Sequence, residues 1–302
     1  MILADAVVGP SWNLLADIQE LWSFPFMVNA FRAGAIVAVA AATMGWFMVL
    51  RRQSFAGHTL ATVGFPGASG ATLLGLSTTA GYFGFCVAAA IVIAAIPRAG
   101  RASGAHESAA TGIVQAFALG LGFLFVALYK GFLSGIDALL FGTFLGVTST
   151  QVVVLFGVTI AVLVVLAVIG RPLLFASVDP VVAAARGVPV RVLSVVFLVL
   201  LGVAVAEASQ ITGSLLVFAL LVMPAATAQA LTARPVLGLV LSVLIGVAVT
   251  WLGLGVAYYS IYPIGFYVTT FAFAAFAASR LVRLGGRNRQ SRRRDAATAV
   301  PA

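Results

Sequence analysis

The sequence predicts an all-α polytopic membrane protein of about nine transmembrane helices. Of its 302 residues, 62% are hydrophobic and only 8% charged, where a soluble domain carries roughly 25% charge. Mean hydropathy is +1.15. The apolar runs are long and continuous rather than alternating, which fits helices crossing about 30 Å of hydrocarbon and excludes the strands of a membrane β-barrel. The 31 glycines and 11 prolines agree, since both are commoner in membrane helices than in soluble ones.

Taken in order, residues 1–26 combine Asp5, Asp17 and Glu20 with Trp12, Trp22 and Phe24 ahead of Pro25. An acidic, aromatic segment of this kind is expected to lie in the interface on the outer face. It has neither a basic n-region nor a cleavage site, so no removable signal peptide is expected. The apolar body, residues 27–283, divides into nine spans at 27–50, 54–77, 79–96, 109–129, 151–169, 192–209, 211–231, 235–259 and 264–283.

Orientation follows from the cations. With the N-terminus outside, the inner segments carry Arg51 and Arg52, then Arg98 and Arg101, then Arg171, Arg186 and Arg191, then Arg234 and the C-terminal arginines, while the outer ones hold only Lys130. That is the positive-inside pattern, and it requires an odd number of spans with the C-terminus inside. Much of the net charge of +9 sits in the tail 284–302 and at Arg280 and Arg283 just before it. The tail is read as a disordered segment touching anionic lipid headgroups, and no nucleic-acid partner is expected. A single cysteine, Cys86, excludes an internal disulfide and any multi-cysteine metal site.

Two stretches stand outside the simple count. Residues 131–147 are apolar but broken by Gly135, Asp137 and Gly142. A crossing there would invert everything downstream, so a short or re-entrant element near the outer face is expected. Residues 176–191, ASVDPVVAAARGVPVR, lie inside. Asp179 before Pro180 reads as an N-cap with proline at the first helical position, and Gly187 ends a helix of about two turns. Such an element is either a docking site or an ordinary structured loop.

Polar groups within the spans mark candidate chemistry. His58 and Thr62 are spaced i, i+4 on one face of the second span, about 9 and 15 Å in from Arg52. A neutral imidazole is a common transition-metal ligand, so the pair reads as ligands or relays on a permeation path. The alternative is a histidine bonded to a carbonyl on a neighbouring helix. Glu207 and Gln210 fall at the expected outer turn between spans six and seven, where Glu207 either guards an external entrance or is a solvated loop charge. Asp137 carries the same ambiguity. His106 is a weaker second metal candidate, and Glu107 complements a helix dipole. Pro66, Gly67 and Gly70 in span two resemble Pro224, Ala225, Ala226 and Thr227 in span seven, which follows Gly213. Those two spans run in opposite directions, the pattern of an inverted repeat. No phosphate-binding loop, HExxH or nucleophile elbow is present in the sequence. The chain is therefore expected not to be an enzyme, and energy for transport comes from a gradient or from another polypeptide.

The chain resembles the membrane permease subunits of ABC-type importers for zinc, manganese and iron. LRRQSFAGHTLATVGFPGASGA is similar to that family's arginine pair and its SF-x-G-D-x-L-x-H helix. ESAATGIVQAFALGLGFL, DALLFGTFLGVTSTQVVVL, DPVVAAARGVPVRVL and GSLLVFALLVMPAATAQAL follow in the family's order. The resemblance implies a fold of the vitamin-B12-importer (type II ABC importer) kind with inverted halves. It also implies a second copy of the chain, a cytoplasmic ABC ATPase dimer hydrolysing ATP, and an extracellular protein that delivers the metal. No prosthetic group is implied, and the metal is cargo. The coupling segment falls on Asp179, Pro180, Ala184, Arg186, Gly187 and Pro189, and the location is the cytoplasmic membrane of a prokaryote. Where the family pairs Asp with His, this chain has His58 and Thr62. Loss of the carboxylate disfavours manganese more than zinc, so zinc is the expected cargo. An ion-coupled secondary transporter, a permease-like scaffold and a transporter of another cargo are the competing expectations.

Overall fold

The computed structural model describes the backbone of residues 14–96, 103–129, 142 and 144–298, and side chains for the same residues except 14–16, 103–107, 145, 215 and 284–298. Its elements are helices α1 (Leu14–Ser23), α2 (Pro25–Leu50), α3 (Ser54–Leu73), α4 (Thr78–Ala95), α5 (Ser103–Leu128), α6 (Ser149–Val178), α7 (Pro180–Ala185), α8 (Val190–Leu231), α9 (Pro235–Tyr258) and α10 (Ile264–Thr298), with one 3₁₀ turn at Phe144–Gly146. Each predicted span falls on a helix. Among the described residues, seven segments are long and apolar enough to cross a membrane, on α2, α4, α5, α6, the first part of α8, α9 and α10. The later part of α8, Leu216–Leu231, is apolar but shorter. Polar and small residues dilute α3.

Side-chain bonds fix the relative directions. Ser242 donates to the Ala42 carbonyl (3.0 Å) and Trp251 Nε1 to that of Phe31 (3.2 Å), so α9 runs antiparallel to α2. Asn29 donates to the Val147 carbonyl, whereas Arg51 at the far end of α2 donates to Ser177, so α6 runs parallel to α2. Thr79 donates to Gln210 Oε1 (2.9 Å), and Gly202 packs on Cys86, which sets the first half of α8 antiparallel to α4.

Helix α8 contains the main departure from expectation. Its 42 residues would span about 63 Å if straight, twice the hydrocarbon thickness. Yet Ser194 near its start bonds Arg51, and Gln229 near its end donates to the Trp46 carbonyl. Both ends therefore lie at the arginine end of α2, and the chain reverses at Gly213, whose φ of 73° and ψ of 161° are non-helical. Sequence reading placed an outer turn at 207–210, with Glu207 either guarding an entrance or solvated. Instead the helix continues through those residues and one glycine makes the reversal, because it alone adopts positive φ without steric cost. Gly142, from the broken outer segment, packs directly on this break, its Cβ position 2.6 Å from Gly213 N.

The most apolar windows of α2 and of the first half of α8 are 72% buried, against 17–33% for α4, α5, α6, α9 and α10. Two central helices are thus wrapped by helices with largely unpartnered apolar faces. Small residues bring backbones together: Gly67 and Gly81 each pack on the other's carbonyl, and Gly45 packs on that of Leu221. Close approach of this kind is how helices associate when lipid offers no hydrophobic drive. At the other end of the bundle, Tyr258 and Tyr259 donate to Glu20 and to the Asp17 carbonyl, and Trp22 stacks on Phe31 (5.7 Å), which docks α1. Helix α10 continues through the basic segment to Thr298, beyond the expected span end at 283; arginine-rich sequence has high helix propensity.

Candidate functional site

Helix α3 starts immediately after a tight turn at Arg51–Gln53. Arg52 has φ 57°, and Gln53 N–H bonds the Met48 carbonyl, a Schellman-type closure that satisfies the end of α2. One turn further on, His58 and Thr62 share a half-buried face. The His58 ring lies edge-on to Phe218 in the second half of α8, with centroids 4.8 Å apart. Its Nδ1 is buried and has no hydrogen-bond partner among the described residues, so the reading in which a neighbouring carbonyl holds the ring finds no support at that atom. Thr62 Oγ1 donates to the Thr59 carbonyl (2.9 Å). That bond uses the hydroxyl proton and leaves its oxygen lone pairs available to a cation. Thr59, on the adjacent face, is fully buried and donates to Gln115 Oε1 on α5 (3.0 Å). Among the described residues no group of three His, Cys, Asp or Glu side chains converges. One chain therefore offers a metal here an imidazole and a hydroxyl, not a closed cage.

Glu207 does not stand in a solvated loop. It is 0% exposed, inside α8, and accepts from Thr159 Oγ1 on α6 at 2.7 Å. Its burial depends on a threonine 48 residues away, which sequence reading did not single out. Asp137, the other outer candidate, lies outside the described residues, as do Arg98, Arg101 and Lys130.

The expected capped helix is present as α7. Asp179 accepts from the Val181 and Val182 amides (3.1 and 3.0 Å), Pro180 occupies the first turn, and Gly187 at φ 83° closes it, with Val188 N–H bonding the Ala183 carbonyl. Only Ala183 is buried; Ala184, Arg186 and Pro189 are exposed, and Val178 and Val181 stand 71% and 77% exposed. Sequence reading missed the hub behind this helix. Arg51 donates to Gln53, Ser177 and Ser194 and lies 5.2 Å over the Phe197 ring, tying the start of α3 to both helices that flank α7. A cleft of about 350 Å³, lined by Arg51, Arg52, Phe55, Ser177, Pro180 and Ser194 among others, opens beside it.

The two small-residue motifs occupy helices of opposite direction. Pro66, Gly67 and Gly70 are buried on α3, which leaves the arginine end. Pro224, Ala225 and Thr227 are buried on the part of α8 that returns to it, with Ala226 half-buried. Thr227 donates to the Met223 carbonyl (2.7 Å), next to the position where proline interrupts the ladder.

A family model described as the ABC 3 transport family matches residues 23–283. The manganese transport system membrane protein MntC of Halalkalibacterium halodurans is 31% identical over 237 residues, 78% of this chain and 80% of that protein. The manganese import system permease protein ScaB of Streptococcus parasanguinis is 31% identical over 241 residues, 80% of this chain and 85% of the relative. The chelated iron transport system membrane protein YfeC of Yersinia pestis is 27% identical over 246 residues, 82% of each chain. Among solved structures, PsaBC from Streptococcus pneumoniae in complex with Fab superposes with a TM-score of 0.77 at 28% identity, over 88% of this chain and 95% of that one. An inward-facing metal-chelate type ABC transporter gives 0.71 at 18% identity, over 86% and 89%, a likeness of fold. This chain belongs to the ABC 3 transport family and is a membrane permease of the ABC-type metal-ion importers.

Proposed function

We propose that two copies of this chain form the transmembrane pathway of an ATP-driven importer of a divalent first-row metal ion in the cytoplasmic membrane of a prokaryote. Nine helical segments cross in this reading, with the N-terminus outside and the arginine end inside, as the cation distribution requires. The observation that carries it is the His58–Thr62 face of α3, with a ring nitrogen lacking any hydrogen-bond partner among the described residues. A second copy would supply a matching face, and two imidazoles with water complete a coordination sphere that one chain leaves open. An extracellular protein delivers the ion, which is cargo, not cofactor.

Zinc is the cargo that an imidazole without a paired carboxylate suits best. Manganese is the second reading, favoured by the relatives named for manganese transport and import.

In this reading α7 is the dock for a separate ATPase dimer. Its valines are apolar and exposed on the arginine-rich end, and Arg51 couples it to α3, so a push on α7 moves the first turn below His58. Two variants test the dock. Gly187→Trp puts a bulky residue at a left-handed φ that costs roughly 1–2 kcal/mol and into the presented surface. Val181→Asp keeps the helix and changes only an exposed side chain. Each is expected to reduce capture of the ATPase subunit by the tagged permease at least tenfold. Retained capture in both would show that α7 is not the dock.

A further inference from the structure

We infer that Glu207 is the anionic ligand of a second cation site, one that binds a hard metal cation through oxygen and is separate from His58. Glu207 is 0% exposed and uses Oε1 to accept from Thr159. Its other oxygen, Oε2, is buried and has no hydrogen-bond partner among the described residues. A carboxylate in that condition is costly unless its remaining lone pairs meet a proton donor or a cation.

The surroundings favour the cation. Glu207 lines a cavity of about 180 Å³ between α4, α6 and α8, whose other polar walls are Gln210, Thr79, Thr150 and Gln151. Among the described residues that line it there is no lysine, arginine or histidine. Gln151 Oε1 is already taken by the Thr148 amide and hydroxyl. The donor set is therefore the Glu207 carboxylate, the Gln210 amide carbonyl and the Thr79 and Thr150 hydroxyls, the chemistry of hard, oxygen-liganded cations and not of thiolate- or imidazole-seeking ones. Water occupies about 30 Å³ in the liquid, so the space admits an ion that keeps part of its hydration. Gln210 is already held in place, accepting from Thr79 (2.9 Å) and donating to the Ala206 carbonyl (3.3 Å). Its carbonyl oxygen is therefore oriented before any ion arrives. The site also stands apart from the α3 face: Glu207 turns to α6, whereas His58 packs on the half of α8 beyond Gly213.

This inference does not depend on the transport reading, and equilibrium binding tests it without ATP or an ATPase. The purified full-length chain is titrated with Mn²⁺, read by loss of the free-ion electron paramagnetic resonance signal, and with ²²Na⁺ in a scintillation proximity assay. The expected result is saturable binding of at least one of the two ions that Glu207→Gln weakens tenfold or more. Glutamine keeps the size and the bond from Thr159 but removes the charge. Gln210→Leu, which leaves the carboxylate intact, is expected to weaken binding severalfold and guards against misfolding as the cause. Binding of neither ion by the wild-type chain overturns the inference. So does binding that Glu207→Gln leaves unchanged, and so does a proton-only site, seen as pH-dependent behaviour lost in Glu207→Gln with no metal bound.

Discussion

Replacing His58 by alanine is expected to reduce metal-stimulated ATP hydrolysis of the assembled complex to its basal rate while the complex stays intact. The side chain is half-buried, touches Phe218 edge-on and has its Nδ1 without a partner among the described residues. Its removal therefore breaks no hydrogen bond made by the ring Nδ1 among the described residues. What is lost is the one transition-metal donor on that face, since Thr62 alone offers a weak neutral oxygen. A restorative variant sharpens the test. His58→Asp together with Thr62→His rebuilds the pair that the family resemblance implies, and it is expected to restore stimulation and move preference toward manganese. Stimulation by zinc and manganese that is unchanged in His58→Ala would remove this residue from the pathway.

The second large effect concerns packing. Gly45→Val is expected to abolish accumulation of folded permease. A Cβ at Gly45 would sit 2.7 Å from the Leu221 carbonyl carbon and 3.0 Å from its Cα. The obstacle is backbone on the returning half of α8, not a side-chain tip that can rotate away. Two of the most buried segments of the bundle would have to separate, and overpacking of this kind costs about 1–3 kcal/mol or more. Gly157→Ala is the matched control, because nothing lies within 4 Å of its Cβ position. Detergent-solubilised yield and the thermal midpoint of monodisperse protein check both. Near-wild-type behaviour of Gly45→Val would mean that α2 and α8 do not make this contact.

Much of the architecture was readable because hydrocarbon tolerates so few charges. Arginines and prolines delimit most helices, and Asp179, Pro180 and Gly187 specify α7 through bonds that all lie within ten residues. What the sequence concealed was non-local. The run Glu207-Ala-Ser-Gln-Ile-Thr-Gly213 has the composition of a turn, and only its partners place it inside a helix: Thr159 for Glu207, Thr79 for Gln210 and Gly142 for the break. One local signal was available and unused. Thr148 and Gln151 form a capping box that starts α6, which fixes the register that brings Thr159 to Glu207. Arg51 was counted as a topological charge, yet it is also a clamp between three helices, a role visible only from Ser177, Ser194 and Phe197. His58 was legible by rarity and depth, whereas Phe218 beside it was not.

The proposed role is import of a divalent metal through paired permeases powered by a separate ATPase. The most direct measurement is uptake into proteoliposomes containing the permease, its ATPase subunit and its delivery protein, across zinc, manganese and iron. ATP-dependent accumulation of at least one of these ions, lost in His58→Ala, is the predicted result. No ATP-dependent accumulation of any of the three by the complete wild-type assembly would contradict it.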